Sequence, residues 1–201
     1  GDVSLRNAAK ERNLPLDALE AELGSLGARD NGEAHEFQSP TALIAHILSR
    51  FHAVHREEIP DLVALAKKVE AVHRTHAMVP NGLAAALHKL GDELETHMAK
   101  EELVLFPLMR QGGNPVIEHP IARMRHEHDD HGAHLRELDR LTHGITAPAD
   151  ACRTWQALYA GLAKLTDDLM EHIHLENNIL FPRFSAVESG AGFDRSVCGS
   201  R

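Results

Sequence analysis

His97, Glu101 and the tripeptide Leu105-Phe106-Pro107 recur 75 positions later as His172, Glu176 and Leu180-Phe181-Pro182. Residues four apart share one face of an α-helix, so each copy presents an imidazole and a carboxylate in one direction, about 6 Å apart along the axis. The repeat extends upstream. His52 and His55 are spaced like His128 and His131, and His52 precedes His97 by 45 residues where His128 precedes His172 by 44. Each half therefore offers one His from a first helix, then a His and a Glu from a second. Two such halves packed face to face would gather His52, His97, His128 and His172 with Glu101 and Glu176. That is the donor set of a carboxylate-bridged pair of iron ions in a four-helix bundle.

Imidazole and carboxylate suit iron, manganese or zinc, and no thiolate is placed to favour zinc. Two His per ion and two bridging Glu leave about two octahedral positions on each for an oxo or hydroxo bridge and an outside ligand. The expected cofactor is thus two non-haem irons. Open positions on redox-active iron imply chemistry with dioxygen, nitric oxide or peroxide, or release of the iron itself. Glu93 and Asp168 lie four residues before His97 and His172. They are candidates to accept the outer imidazole N–H, the plainer reading being exposed acids with i,i+4 partners. His73 is rejected as a ligand. It lies 21 residues beyond His52, about 31 Å along a straight helix, and only a sharp reversal near Pro60 would bring it back. It reads instead as a helix-terminal His facing the last carbonyls. Of the 16 His, those at His119, His126, His131 and His134 read as solvated surface. The Leu-Phe elements read as core packing near helix ends, with Pro107 and Pro182 as punctuation.

Four long helices must position these groups, and the spacing predicts them. Ser39-Pro40 is a cap followed by a first-turn proline. From there a helix is predicted over about 40–75, kinked or restarted at Pro60. Pro80-Asn81-Gly82, Gly112-Gly113 and His143-Gly144 punctuate the chain, which sets further helices at about 82–111, 116–142 and 148–184. The fold class is an all-α, up-down four-helix bundle over residues 39–184. Before it come a short N-terminal helical segment (1–30, with a helical pair at 2–27) and a polar linker (31–38); after it, 185–201 reads as a flexible tail. Net charge is −9 and aromatics are only 4% of the chain. No basic stripe interleaved with aromatics is present, which argues against nucleic acid and anionic membranes as partners. No apolar run approaches the ~18 residues of a spanning helix. Cys152 and Cys198 are too few for a disulfide framework. A cytoplasmic protein is expected, in which reduced iron stays available, and a homodimer is among the assemblies admitted.

The chain resembles the hemerythrin-like superfamily, and more closely the family of diiron proteins that repair iron–sulfur clusters. The segments that carry the resemblance are ERNLPLDALEAEL (11–23), HREEIPDL (55–62), GDELETHMAKEELVLFP (91–107), EHDDHG (127–132) and DDLMEHIHLENNILFPRF (167–184). It implies a hemerythrin-like bundle, with His52, His97, His128, His172, Glu101 and Glu176 as iron ligands. Family members also carry an N-terminal helical domain with a Cys-Cys-Gly-Gly motif. This sequence opens at Gly1 about where that motif should end, so residues 1–30 read as the remnant of that domain and the chain as a fragment. The implied function is repair of iron–sulfur proteins damaged by nitric oxide or oxidants, with iron supplied from the diiron site. Two other functions compete: reduction of nitric oxide to nitrous oxide at the same site, which would make the protein an enzyme, and reversible dioxygen carriage. Oxygen-carrying hemerythrins have five His with one Glu and one Asp, a less open set than the four His and two Glu here.

Overall fold

The computed structural model describes residues 9, 10, 15, 16, 39–114 and 116–184. Apart from residues 9, 10, 15 and 16, the expected N-terminal helical pair lies outside the described residues, as do the linker and the tail. The chain divides into two compact units, Gly1–Leu43 and Ile44–Arg201.

Ser39 caps the first long rod, its Oγ accepting the Ala42 N–H at 3.2 Å. That rod comprises α1 (Pro40–Ile47), a π-helical segment π1 (Leu48–His52) and α2 (Ala53–Val72). The second is α3 (Leu83–Lys100), π2 (Glu101–Leu105) and α4 (Phe106–Arg110). The third is α5 (Glu118–Leu141), and the fourth is α6 (Arg153–His174), π3 (Leu175–Leu180) and a 3-10 turn (Phe181–Arg183). Among the described residues there is no strand, and the rods form the expected hemerythrin-like up-down bundle.

Two expectations need correction. Pro60 does not restart the first rod, because α2 runs through it. Pro60 and Arg56 are both exposed, so the carbonyl left without a donor opens to water. The irregularity lies instead at π1. The fourth rod begins at 153 rather than 148, because the Ala151 N–H bonds back to the Pro148 carbonyl at 2.9 Å in a turn. Cys152 is then extended (φ −67°, ψ 165°) as the residue preceding α6.

The punctuation behaves as its chemistry requires. Gly112 ends the second rod at φ +93°, a left-handed conformation that only glycine adopts without strain. The next residue, Gly113, closes the cap by donating to the Leu108 carbonyl at 2.9 Å. Helix α2 packs against α3 and α6, and α3 against α5. Leu62, Ala66 and Val69 of α2, Leu87, Leu90 and Leu94 of α3, and Trp155, Leu158, Leu162 and Leu165 of α6 build the apolar core. The α2–α6 approach is close at Gly161, where a Cβ would stand 2.6 Å from Leu62 Cδ2. Among the described residues no helix is long and apolar enough to cross a membrane.

One buried acid ties the first rod to the fourth. Asp168 accepts a two-pronged interaction from Arg50, at 2.7 and 3.0 Å, and a third bond from Lys164 at 2.7 Å. The Arg50 hydrogen bond, opposed by burial and aided by Lys164, lowers its carboxyl pKa to about 2. A carboxylate whose pKa is depressed on folding stabilises above its unfolded value, and that stability is lost as pH falls through the folded value. Asp168→Ala is therefore expected to cost roughly 1–2 kcal/mol at pH 7. In urea melts the gap from the parent protein should close between about pH 4 and pH 2; an equal gap at both ends of that window would show that the charge is not the source.

Candidate metal centre

Three of the four rods leave the α-helical repeat where the polar residues converge. Ala53 donates to the Leu48 carbonyl, Phe106 to Glu101 and Phe181 to Glu176, each bond spanning five residues instead of four. Every such turn inserts one residue and rotates the following face by about 100°. Pro107 and Pro182 stand immediately after the last donors of π2 and π3. Having no N–H, they cannot resume the α ladder at that step. The Leu-Phe pairs are thereby turned inward, and Leu105, Phe106, Leu180 and Phe181 are all buried.

The structure brings together His52, His97, His128, His172, Glu101 and Glu176, all 4% exposed or less. They fall into two groups, His52–His172 and His97–His128, each also reached by Glu101 and Glu176. Each glutamate spans both groups. Glu101 places Oε2 3.4 Å from His52 Nε2 and Oε1 3.4 Å from His97 Nε2. Glu176 places Oε1 3.3 Å from His172 Nε2 and Oε2 3.1 Å from His128 Nε2. Within the groups the facing Nε2 atoms stand 3.2 Å apart for His52 and His172, and 3.0 Å for His97 and His128. Two donors about 2.1 Å from one ion and at right angles to each other would be about 3.0 Å apart.

Electrostatics makes this end of the bundle unfavourable in the absence of a cation. Both oxygens of Glu101 and Oε2 of Glu176 are buried without a hydrogen bond. Burial first, and the facing Glu176 second, push the Glu101 carboxyl up to about 8. For Glu176, burial opposes ionisation, but His172 and His128 outweigh it and hold the carboxyl well below its usual range. Two carboxylates and four lone pairs converging in a dry pocket call for positive charge. The donor types and their spacing fit a pair of metal ions.

The outer nitrogens explain how the rings are aimed. His52 Nδ1 lies 2.8 Å from Glu102 Oε1, His97 Nδ1 3.0 Å from Glu127 Oε2, and His128 Nδ1 3.1 Å from Asn177 Oδ1. An acceptor at Nδ1 places the proton there and leaves the Nε2 lone pair facing inward. Arg56 anchors Glu102, while Lys100 and Arg123 anchor Glu127. Burial opposes the ionisation of Glu127, but these cations and His97 bring it down to about 2. Aromatic rings close the pocket. Phe106 packs on His52, Phe51 on His172 and Phe181 on His128.

The expected outer partners, Glu93 and Asp168, do not hold the rings. Glu93 pairs with His134 and Lys89, and Asp168 with Arg50 and Lys164. An imidazole pointing across the bundle aims Nδ1 at the neighbouring helix rather than down its own. The actual acceptors are chain neighbours of other site residues. Glu102 follows Glu101, Glu127 precedes His128 and Asn177 follows Glu176. A residue one step from the site is turned about 100° around its helix and faces the next rod. That adjacency was the signal available in the sequence.

His131, read as surface, is 2% exposed. The one-turn spacing from His128 carries it inward beside His97, with ring centroids 4.8 Å apart. His119 and His126 are exposed, and His134 is half-buried against Glu93. His73 stands apart. It ends α2 and packs on Trp155 at 4.9 Å, with Nε2 3.2 Å from Cys152 Sγ.

His55 is fully buried, and neither of its ring nitrogens has a partner. Desolvation lowers its pKa to about 3, so the ring is neutral. A buried polar group without a partner costs about 1–3 kcal/mol. His55→Leu is therefore expected to raise the stability of the metal-free protein by about 1 kcal/mol in urea unfolding. A loss of that size would mean that the ring is hydrogen-bonded in solution.

Residues 43–184 match the family described as the Hemerythrin HHE cation binding domain. The chain is 47% identical over 184 residues to the iron-sulfur cluster repair protein YtfE of Musicola paradisiaca (strain Ech703), covering 91% of this chain and 83% of the relative. Its YtfE counterpart from Enterobacter sp. (strain 638) is 46% identical over 188 residues, covering 94% and 86%. That of Yersinia pseudotuberculosis serotype IB (strain PB1/+) is 47% identical over 184 residues, covering 91% and 83%. The chain belongs to the hemerythrin HHE cation-binding family, and to the branch of it that these YtfE relatives define.

Proposed function

We propose that this protein repairs iron–sulfur clusters damaged by nitrosative or oxidative stress, supplying iron from a carboxylate-bridged diiron site. The observation that carries the proposal is the placement of Glu101 and Glu176, each offering one oxygen to each histidine pair. Such a placement suits two ions sharing two bridges and is wasted on one. The names borne by the relatives supply the biological process.

Within this reading, His52 and His172 would hold one iron and His97 and His128 the other, all through Nε2. Iron is the cargo, and a labile ferrous pair supplies what a damaged cluster lacks. Glu102, Glu127 and Asn177 keep the ligand nitrogens unprotonated, and Phe51, Phe106 and Phe181 keep bulk water from competing. Histidine and carboxylate ligands without thiolate favour a site that gives up ferrous iron more readily than a sulfur-rich one would. The recipients are damaged iron–sulfur proteins, and the compartment is the cytoplasm. Nitric oxide and dioxygen are the small molecules that the open positions would meet.

Purified protein should hold about two irons per chain, and Glu101→Ala or Glu176→Ala should lose at least one, since loss of a bridge weakens both positions. Unchanged iron content in both variants would reject the bridging assignment. The diferrous protein should restore activity to a nitric-oxide-damaged cluster enzyme, while the iron-depleted protein and both Glu variants should not. Equal recovery with metal-free protein would end the donor reading, and multiple-turnover formation of nitrous oxide without repair would identify a nitric oxide reductase instead.

A further inference from the structure

Resting on that diiron reading, we propose that the two metal positions are unequal: the one bounded by His52 and His172 is the weaker, and iron is delivered from it first. The inequality lies in the outer nitrogens of the four imidazoles. On the His97–His128 side both are tied. His97 Nδ1 meets Glu127, which Lys100 and Arg123 clamp at 2.7 and 2.6 Å, and His128 Nδ1 meets the Asn177 side chain. On the other side only His52 is tied, to Glu102. His172 Nδ1 is buried without any partner.

What holds His172 is of a different kind. Phe51 lies flat against it, ring centroids 5.3 Å apart and planes 4° from parallel. Stacking fixes the plane of a ring, but it accepts no N–H. The tautomer with the proton on Nδ1, which frees Nε2 for a metal, therefore gains nothing from its surroundings. That ring is also held less firmly toward a metal at Nε2 than one whose N–H is fixed by an acceptor. His52, the nearer ring at 4.9 Å between centroids, faces it Nε2 to Nε2, and His55, at 5.6 Å, lends no bond, since both of its nitrogens are themselves unpartnered. Loss of one outer partner typically lowers metal affinity about 10–100-fold. The bridging carboxylates cannot supply the difference, because Glu101 and Glu176 each reach both groups.

The test is anaerobic transfer of iron from the fully loaded, reduced protein to excess ferrozine. Two phases of equal amplitude are expected, one iron each, separated about 10-fold or more in rate. Sequential loss from two equal positions would also give two phases, so Asn177→Leu decides. Removing the acceptor of His128 should quicken the slow phase toward the fast one and leave the fast phase where it was. If the positions are equal, the same substitution instead creates a weaker position, and the fast phase accelerates. Glu127→Ala, which strips His97 of its acceptor, repeats the comparison should Asn177→Leu fail to load iron. Single-phase loss of both irons, or acceleration confined to the fast phase, overturns the inference while the diiron reading stands. A protein that loads only one iron per chain ends both.

Discussion

Four imidazole nitrogens and two carboxylates are forced into one dry volume, and the rest of the bundle is arranged around that repulsion. Within the described residues no Lys or Arg reaches Glu101 or Glu176. The cations stand one layer out, on Glu102, Glu127 and Asp168. A lysine placed inward would relieve the crowding, but it would also occupy the volume a metal needs. Instead, positive charge is spent on fixing the acceptors that fix the rings. The polar end is thus poor in hydrogen bonds among its own groups, and the stability to hold it comes from the leucine core built on α2, α3 and α6.

Much of this was legible in the sequence because metal ligation demands particular residue types at helical spacing, and the pattern occurs twice. His97 with Glu101 and His172 with Glu176 share a face for reasons of helix geometry alone, and the upstream His52 and His128 follow from matched spacing. The helix boundaries were legible at Ser39-Pro40, Pro80-Asn81-Gly82 and Gly112-Gly113, but not at Pro60 or Pro148, where a proline sits inside a helix or in the turn before one. Less legible was anything that depends on the relation between rods. Glu93 and Asp168 were natural choices along a single helix, yet a ring aimed across the bundle meets whatever the next helix presents. His131 looked like one polar residue among many, since burial is decided by the face of α5 that meets α3 and not by its charged neighbours.

The π-helical segments belong to the same class. The residues flanking Glu101 are ordinary helix formers, and only Pro107 in one copy, and Asn177-Asn178 with Pro182 in the other, hint that the ladder changes there. Reading the second and fourth rods as uniform α-helix placed their ligands on the correct face, because His97, Glu101, His172 and Glu176 lie before or at the start of π2 and π3, whereas His52 closes π1. It left unexplained why Phe106 and Phe181 point inward.

Helix irregularities of this kind have a consequence for how such a site is gained or lost over time. A π-turn amounts to one surplus residue, so its history is written in insertions and deletions rather than in substitutions. Deleting Leu103 or Val104 would remove that surplus and let the α ladder close, with every chemically active side chain and Phe106 kept on the faces they now hold. A substitution that closed the α ladder without removing a residue would instead swing Phe106 about 100° out of the pocket. Length and helix type in these segments therefore change together, and a one-residue gap at this place in a comparison marks a change of helix type rather than the loss of the pocket.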